Sequence, residues 1–374
     1  MAEPSKESPA SGPVAGTSSN TPASTGAQQT STFTDEPLVV AEEFHDGETA
    51  QHDDADADSA LGDGDSSTAS IASSILHYRM INGRTYHSDR SVNADAVPYW
   101  GANDAKQNQN LDIMHGTFLV ALDGKLSLAP LPEKIEKVLD LGTGTGQWCI
   151  DFGDDHPECQ VIGTDISPIQ PEWVPPNVQF EIDDFTQPWT REDNSLDYIH
   201  LRWICGTVTD WTELFRQAYR VLKPGGWIES FDCNGFPESD DGTLTEDTAL
   251  YKWGYLIREG AKALGSRASF AVVQDGLQVQ GLKEAGFTNI TENPVKVPTS
   301  EWAKDKKHKQ MGMYMRATLE NDPEGAIGFM ASQIGWSKDE ISVYAAHLRR
   351  ELRTNKVHAY CRFNLVYAQK PLNA

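Results

Sequence analysis

The chain has 374 residues, a net charge of −24 and a hydrophobic share of 39%. That length is ample for a sizeable core, so the low apolar share implies a polar stretch beside an ordinary globular part. A balance this acidic excludes a binder of nucleic-acid backbone, which needs clustered Lys and Arg, and equally excludes docking on anionic lipid.

Residues 1–70 hold about fourteen of the acids and a single base, Lys6, with many Ser, Thr, Ala, Pro and Gly. Such a segment buries too little apolar area to offset its ordering entropy and is expected to be a disordered acidic tail. Its start, MAEPSKESPASGPVAG, lacks the basic and apolar regions of a secretory leader. No run approaches eighteen apolar residues. Cys149, Cys159, Cys205, Cys233 and Cys361 lack both C-x-x-C spacing and an even count, which speaks against a disulfide framework and a zinc site. The expectation is an intracellular protein, cytoplasmic with the nucleus as the alternative, and no metal.

Order is expected over 71–371. Residues 71–132 read as lead-in helices, and 133–235 as a core of short apolar runs alternating with helical stretches. VLDLG (138–142), QVIGTD (160–165), NVQFEIDD (177–184), SLDYIHL (195–201) and GWIESFD (226–232) read as strands. A helix over 212–222 stops at KPGG. Helical lid and insert regions follow at 243–265 and 302–352. FTNITENPVKV (287–297) is a further strand, and 358–370 is a closing one. Strands alternating with helices imply right-handed crossovers. The fold class is therefore α/β: a Rossmann-like, seven-stranded, mostly parallel sheet with helices on both faces and an antiparallel strand near the C-terminus.

The chemistry centres on Asp140-Leu141-Gly142-Thr143-Gly144-Thr145-Gly146, where the first core strand turns into a helix. Glycines let the backbone approach a ligand there, and the helix start offers unpaired N–H groups. A dinucleotide would place its pyrophosphate on that terminus. S-adenosylmethionine would instead place its amino-acid tail by the loop, with Asp140 facing the ammonium. The dinucleotide fingerprint G-x-G-x-x-G is not met, because Gln147 follows Gly146. Asp165 closes the next strand and is placed to accept from the ribose hydroxyls. Asp184 is a candidate for the adenine amine, with Ile166 and Phe185 flanking the ring; its alternative is a turn-capping aspartate. His200 and Arg202 end the fourth strand on the ligand-binding edge.

Taken together, VLDLGTGTGQW, VIGTDISPIQPEWVPPNVQFEIDDF, SLDYIHLRWICG, LKPGGWIE and VHAY resemble fungal class I methyltransferases, the LaeA-like regulators of secondary metabolism and their biosynthetic relatives. NGRTYH (82–87) and NLDIMHG (110–116) resemble that group's lead-in. The resemblance implies S-adenosylmethionine as cofactor, with contacts from Asp140, Gly142, Gly144, Gly146, Asp165 and Asp184. It implies methyl transfer to an O or N acceptor. His115 and His200 are candidate bases, Tyr86 is a candidate orienting hydroxyl, and Trp100, Arg202 and Trp203 are candidate lining of the acceptor pocket. A small molecule is the expected acceptor. A nuclear regulator working through protein partners is the alternative, and a nicotinamide oxidoreductase fits least.

Overall fold

The buried apolar runs of the sequence become the strands of one seven-stranded sheet in the computed structural model, which describes residues 37–41, 78–87 and 99–374. In chain order they are β3 (Lys137–Leu141), β4 (Gln160–Asp165), β5 (Val178–Ile182), β6 (Leu196–Arg202), β7 (Leu222–Ser239), β8 (Thr288–Pro298) and β9 (Ala359–Gln369), after a small pair β1 (Arg79–Ile81) and β2 (Arg84–Tyr86). The spatial order is β5-β4-β3-β6-β7-β9-β8. All neighbours from β5 to β7 run parallel, and β9 is antiparallel to both β7 and β8. The sheet is the one expected from the sequence.

Strand order reverses at β3, which lies between β4 and β6. Ligands of open α/β sheets bind in the crevice beyond the carboxyl ends of the strands at such a point. The glycine-rich loop leaves β3 at that crevice and enters α2 (Gln147–Asp155). Val138, Leu139, Leu141, Ile199 and Leu201 are fully buried, as a sheet covered on both faces requires. The covering helices are α1 (Ala105–Ala121), α2, α3 (Trp211–Val221), α4 (Ala249–Ala263) and α5 (Leu277–Ala285), followed by α6 (Lys306–Asn321), α7 (Pro323–Gln333) and α8 (Lys338–Thr354). Among the described residues, no helix is long and apolar enough to cross a membrane.

Three expectations need revision. The lead-in is not wholly helical, because residues 79–86 form an antiparallel hairpin with Ile81 opposite Arg84. Asn82 and Gly83 both adopt positive φ, 54° and 84°, the backbone of the two-residue turn that fits strand twist and favours Asn-Gly. Residues 71–77 lie outside the described ones. Most of the expected tail over 1–70 lies there too, but residues 37–41 are ordered. Ala41 N–H donates to the Trp302 carbonyl (3.0 Å), Lys304 N–H donates to the Val39 carbonyl (2.7 Å), and Leu38 and Val40 pack on Trp302, Ala303 and Tyr360. PLVV supplies the apolar contact that its polar surroundings lack. Finally, the region read as a helical insert (302–352) contributes Met311, Ile327, Phe329 and Leu348 to the main core, so it is part of the framework of the domain.

Cysteine spacing gave no hint that Cys205 and Cys233 would meet. Their sulfurs lie 3.8 Å apart beside Asp232. The Asp232 carboxylate accepts the N–H groups of Ile204 (3.1 Å) and Cys233 (2.8 Å), which ties the end of β6 to β7.

Arg84 joins the hairpin to two helix starts. It makes paired hydrogen bonds to Asp104, the N-cap of α1, and to Asp322, the N-cap of α7 (both at 2.7 Å). The Asp322 side chain is fully buried, with Lys106 as a more distant second cation at 3.6 Å, so removing Arg84 would leave a poorly paired charge in the interior. Arg84→Met should therefore destabilise the chain by about 3–5 kcal/mol in urea unfolding. Breaking the more exposed Arg349–Glu324 pair with Arg349→Met should cost about 1 kcal/mol or less. Equal losses would mean that the clamp contributes no more than a surface pair.

Candidate cofactor and acceptor site

The loop between β3 and α2 is built from left-handed turns that glycine adopts without strain. Gly144 has φ 59° and Gly146 has φ 82°. A Cβ on Gly146 would lie 2.2 Å from the Phe180 ring, and one on Gly144 would lie 3.2 Å from Leu111. The loop is also braced by side chains. Gly144 N–H donates to Asp165 (2.9 Å), and Gln170 Nε2 donates to the Gly144 carbonyl (2.7 Å). The Thr145 hydroxyl donates to Asp112 of α1 (2.7 Å), and Thr143 lies 3.3 Å from the Cys149 sulfur. The end of β4 and one face of α1 thus hold the same short loop from two sides.

Asp165 accepts from the backbone at both oxygens, from Gly144 at one and from Ser167 (2.9 Å) at the other. Burial pushes its pKa up to about 6, with the Asp140 charge adding to the rise. Ile166 follows it, half-buried. Asp184 adopts the turn-capping arrangement weighed above. One oxygen accepts from the backbone (3.0 Å) and hydroxyl (2.6 Å) of Thr186, and the other accepts from Gln187 (3.4 Å). The carboxylate one residue earlier, Asp183, is not drawn into this turn. Its N–H donates to the Asp165 carbonyl (3.0 Å), which keeps it beside Asp165, and its side chain is exposed. Sequence reasoning missed Asp183 because two adjacent acids at a strand end look alike until their hydrogen bonds are known. Phe185 is buried, with its ring next to Gly142.

Both candidate bases are engaged in a buried network. His200 is 2% exposed. Its Nδ1 lies 2.7 Å from Asp140, and its ring stacks on Trp148 at 3.9 Å with an interplanar angle of 2°. Asp140 and His200 are register partners on adjacent strands. Asp140 is itself buried, and its second oxygen is 3.5 Å from the Cys149 thiol. His115 uses both ring nitrogens. Nδ1 is 2.7 Å from Arg202, and Nε2 is 2.8 Å from Asp151 on α2. Desolvation, with Arg202 adding to it for His115, lowers the pKa of both imidazoles. They are neutral groups with set partners, and neither stands open on the cleft.

The remaining candidates separate into fully buried and partly buried residues. Tyr86 is 1% exposed against Phe329, and burial pushes its phenol up to about 12. It packs the hairpin onto α7. Trp302 is likewise core, with its indole donating to the Ala359 carbonyl (2.9 Å). Trp203, by contrast, has φ 53°, a strained conformation for a bulky residue that clusters at functional sites. It directly follows β6. Trp100 packs against Phe270 (5.6 Å), and its buried indole N–H has no partner among the described residues.

The comparisons with known proteins agree with this geometry. Residues 114–292 match a family described as a methyltransferase domain. The methyltransferase pytC of Aspergillus terreus is 35% identical over 323 residues, covering 85% of this chain and 96% of that protein. The secondary metabolism regulator LAE1 of Cochliobolus heterostrophus is 34% identical, over 78% of this chain and 94% of that protein. The protein-methionine methyltransferase laeA of Emericella nidulans is 32% identical, over 78% and 76%. With a braced glycine loop at the switch point of the sheet and relatives that align over nearly their whole length, this chain belongs to the LaeA-like family of S-adenosylmethionine-dependent methyltransferases.

Proposed function

We propose that this methyltransferase acts on an oxygen or nitrogen of a small molecule of secondary metabolism, with the cofactor held across the carboxyl ends of β3, β4 and β5. The observation that carries this reading is the brace of Asp165 on Gly144. It sets a carboxylate placed for ribose hydroxyls directly against the glycine loop. Thr143 and the glycines line that loop. Asp183, rather than Asp184, is positioned to accept from the adenine amine, with Ile166 and Phe185 at the ring. Asp140 orients the loop through His200.

Bound there, S-adenosylmethionine supplies a methyl group already activated by its sulfonium. The work left to the chain is to hold the acceptor in line and to exclude water. Trp203 and Trp100 are the groups for this, and the unpartnered indole N–H of Trp100 can donate to an acceptor oxygen. His115 and His200 act through their partners. The pytC protein, a named methyltransferase similar over nearly its full length, favours a transferase over a purely regulatory role, and the cytoplasm is the simplest site of action.

Saturating S-adenosylmethionine or S-adenosylhomocysteine should raise the unfolding temperature and NAD should not. Ligand at ~100 times its dissociation constant adds about 2.7 kcal/mol. Gly144→Arg should abolish the shift in a chain that still unfolds cooperatively; a shift with NAD alone would overturn the cofactor assignment.

Affinity should also depend on pH through Asp165. Its pKa of about 6 in the folded chain leaves it ionised at pH 7, and ribose recognition is lost as pH falls through that value. Titration calorimetry at pH 5 should give an affinity roughly tenfold below that at pH 7. Asp165→Asn should flatten this step; a profile that does not change in that variant would remove Asp165 from ribose binding.

The two acids after β5 should separate cleanly. Asp183→Asn should weaken S-adenosylhomocysteine by roughly tenfold, the worth of one hydrogen bond to a charged group. Asp184→Asn should mainly lower stability. The opposite pattern would return the adenine contact to Asp184.

A further inference from the structure

Arg202 is a half-buried cation with most of its donors unspent. A guanidinium offers five N–H groups and no acceptor. Among the described residues, its one hydrogen bond is from Nη2 to His115 Nδ1 (2.7 Å). Its planar face lies 4.9 Å from the Phe118 ring. Burial lowers its pKa only to about 10, so it stays charged. Asp140 is the nearest carboxylate acting on it, and Asp140 is already committed to His200.

The location of this cation is set by α1. Leu111 covers Gly144, Asp112 binds Thr145, and His115 follows one turn later on the same helix face. Arg202 lies beneath that turn. It is two residues beyond His200 on β6, hence on the same sheet face as the Asp140 contact. The guanidinium therefore faces the loop end of the cleft, where the reading above puts the amino-acid part of the cofactor.

We propose that Arg202 is the receptor for the carboxylate of the cofactor's amino-acid moiety, and that Asp151 and His115 are the positioning residues that aim it. The inference rests on the cofactor reading above. The logic of the positioning pair is tautomeric. Arg202 can only donate, so His115 Nδ1 must be the bare nitrogen, and the ring proton is on Nε2. That proton is donated to Asp151 (2.8 Å), which keeps the imidazole in the one tautomer that accepts from Arg202. The guanidinium is thereby fixed with a free pair of N–H groups, the geometry that a single carboxylate matches best.

The test compares S-adenosylhomocysteine with 5′-methylthioadenosine, a related nucleoside thioether that lacks the amino-acid carboxylate and ammonium. Titration calorimetry on the full chain should show Arg202→Met weakening S-adenosylhomocysteine by ~10- to 100-fold, as expected for a hydrogen-bonded ion pair, with methylthioadenosine nearly unchanged. Asp151→Asn keeps Arg202 but reverses the donor at the imidazole, and the half-exposed Asp151 side chain makes this variant safe for folding. It should show a smaller loss confined to S-adenosylhomocysteine. Equal losses for both ligands in either variant would make the triad a packing element and overturn the assignment, as would unchanged S-adenosylhomocysteine affinity in Arg202→Met. A wild-type chain that binds neither ligand would sink the cofactor reading itself, and this assignment with it.

Discussion

The placement of α1 is the constraint on which the rest of the site depends. Its N-terminus is held by Asp104, which caps the helix and is clamped by Arg84. Along its length it presents Leu111, Asp112 and His115 to the glycine loop and to Arg202. Its far side packs on α6, and Gly116 lets the Tyr314 ring approach closely. A helix fixed at its start, covered from behind and hydrogen-bonded in front has little freedom to tilt. The loop beneath it inherits that rigidity. A cofactor site made of loop backbone needs such an external brace, because a loop alone would lose entropy on every binding event.

The same logic explains how so acidic a chain tolerates carboxylates inside its core. Each is compensated in a different way, and the way it is compensated separates structure from site. Glu229 accepts the N–H groups of Leu128 (2.8 Å) and Ala129 (2.6 Å), and burial pushes its pKa up to about 7. Asp232 is treated alike by Ile204 and Cys233. These two staple loops to strands with backbone donors alone. Asp322 meets a full guanidinium and joins distant segments. Asp140 and Asp165 belong to a third kind. They lie at the ends of adjacent parallel strands, close enough that the Asp140 charge raises the proton affinity of Asp165, and they border the cleft. Like charges are costly at such range, and a ligand that brings hydroxyl donors or a positive centre relieves that cost.

Much of this was legible in the sequence because the parallel core has a plain signature. QVIGTD marks β4 to the residue, and the other core strands lie within a few residues of their expected ends, except that β7 runs on beyond 232 to Ser239. Buried strands between glycine and proline punctuation leave little room for another reading. What was not legible depended on partners far away in sequence. Asn82-Gly83 carries a hairpin signal of its own, but the strands on either side have three residues each, too few to show a strand period. His115 and His200 look like bases as isolated letters. Only the approach of Asp151 and Arg202 to one shows that both its nitrogens are in use, and only that of Asp140 and Trp148 to the other shows one nitrogen bonded and the ring covered. The choice between Asp183 and Asp184 turns on Thr186 and Gln187, whose roles no spacing rule encodes.

The integration of α6, α7 and α8 into the main core bears on how acceptor choice can be altered in this chain. In a domain with a detachable lid, specificity and stability vary separately, and chemistry changes by exchanging the lid. Here Phe329 of α7 packs at a tilt against Tyr86 of the hairpin, Asp322 closes the clamp with Arg84, and Gly312 of α6 sits so close to Ser300 that a Cβ would meet its carbonyl at 2.1 Å. Removing this region would expose the face of α1 that it covers, and α1 carries the loop contacts. A change in substrate is therefore more accessible through single residues than through exchange of helices. The strained backbone at Trp203 points the same way, since a conformation that costs about 1–3 kcal/mol persists only where its surroundings impose it. Those surroundings are the Phe231 carbonyl that its N–H binds (2.9 Å) and the Phe118 ring of α1 against its indole (6.3 Å), so the turn that follows β6 also takes its shape from the helix that braces the glycine loop.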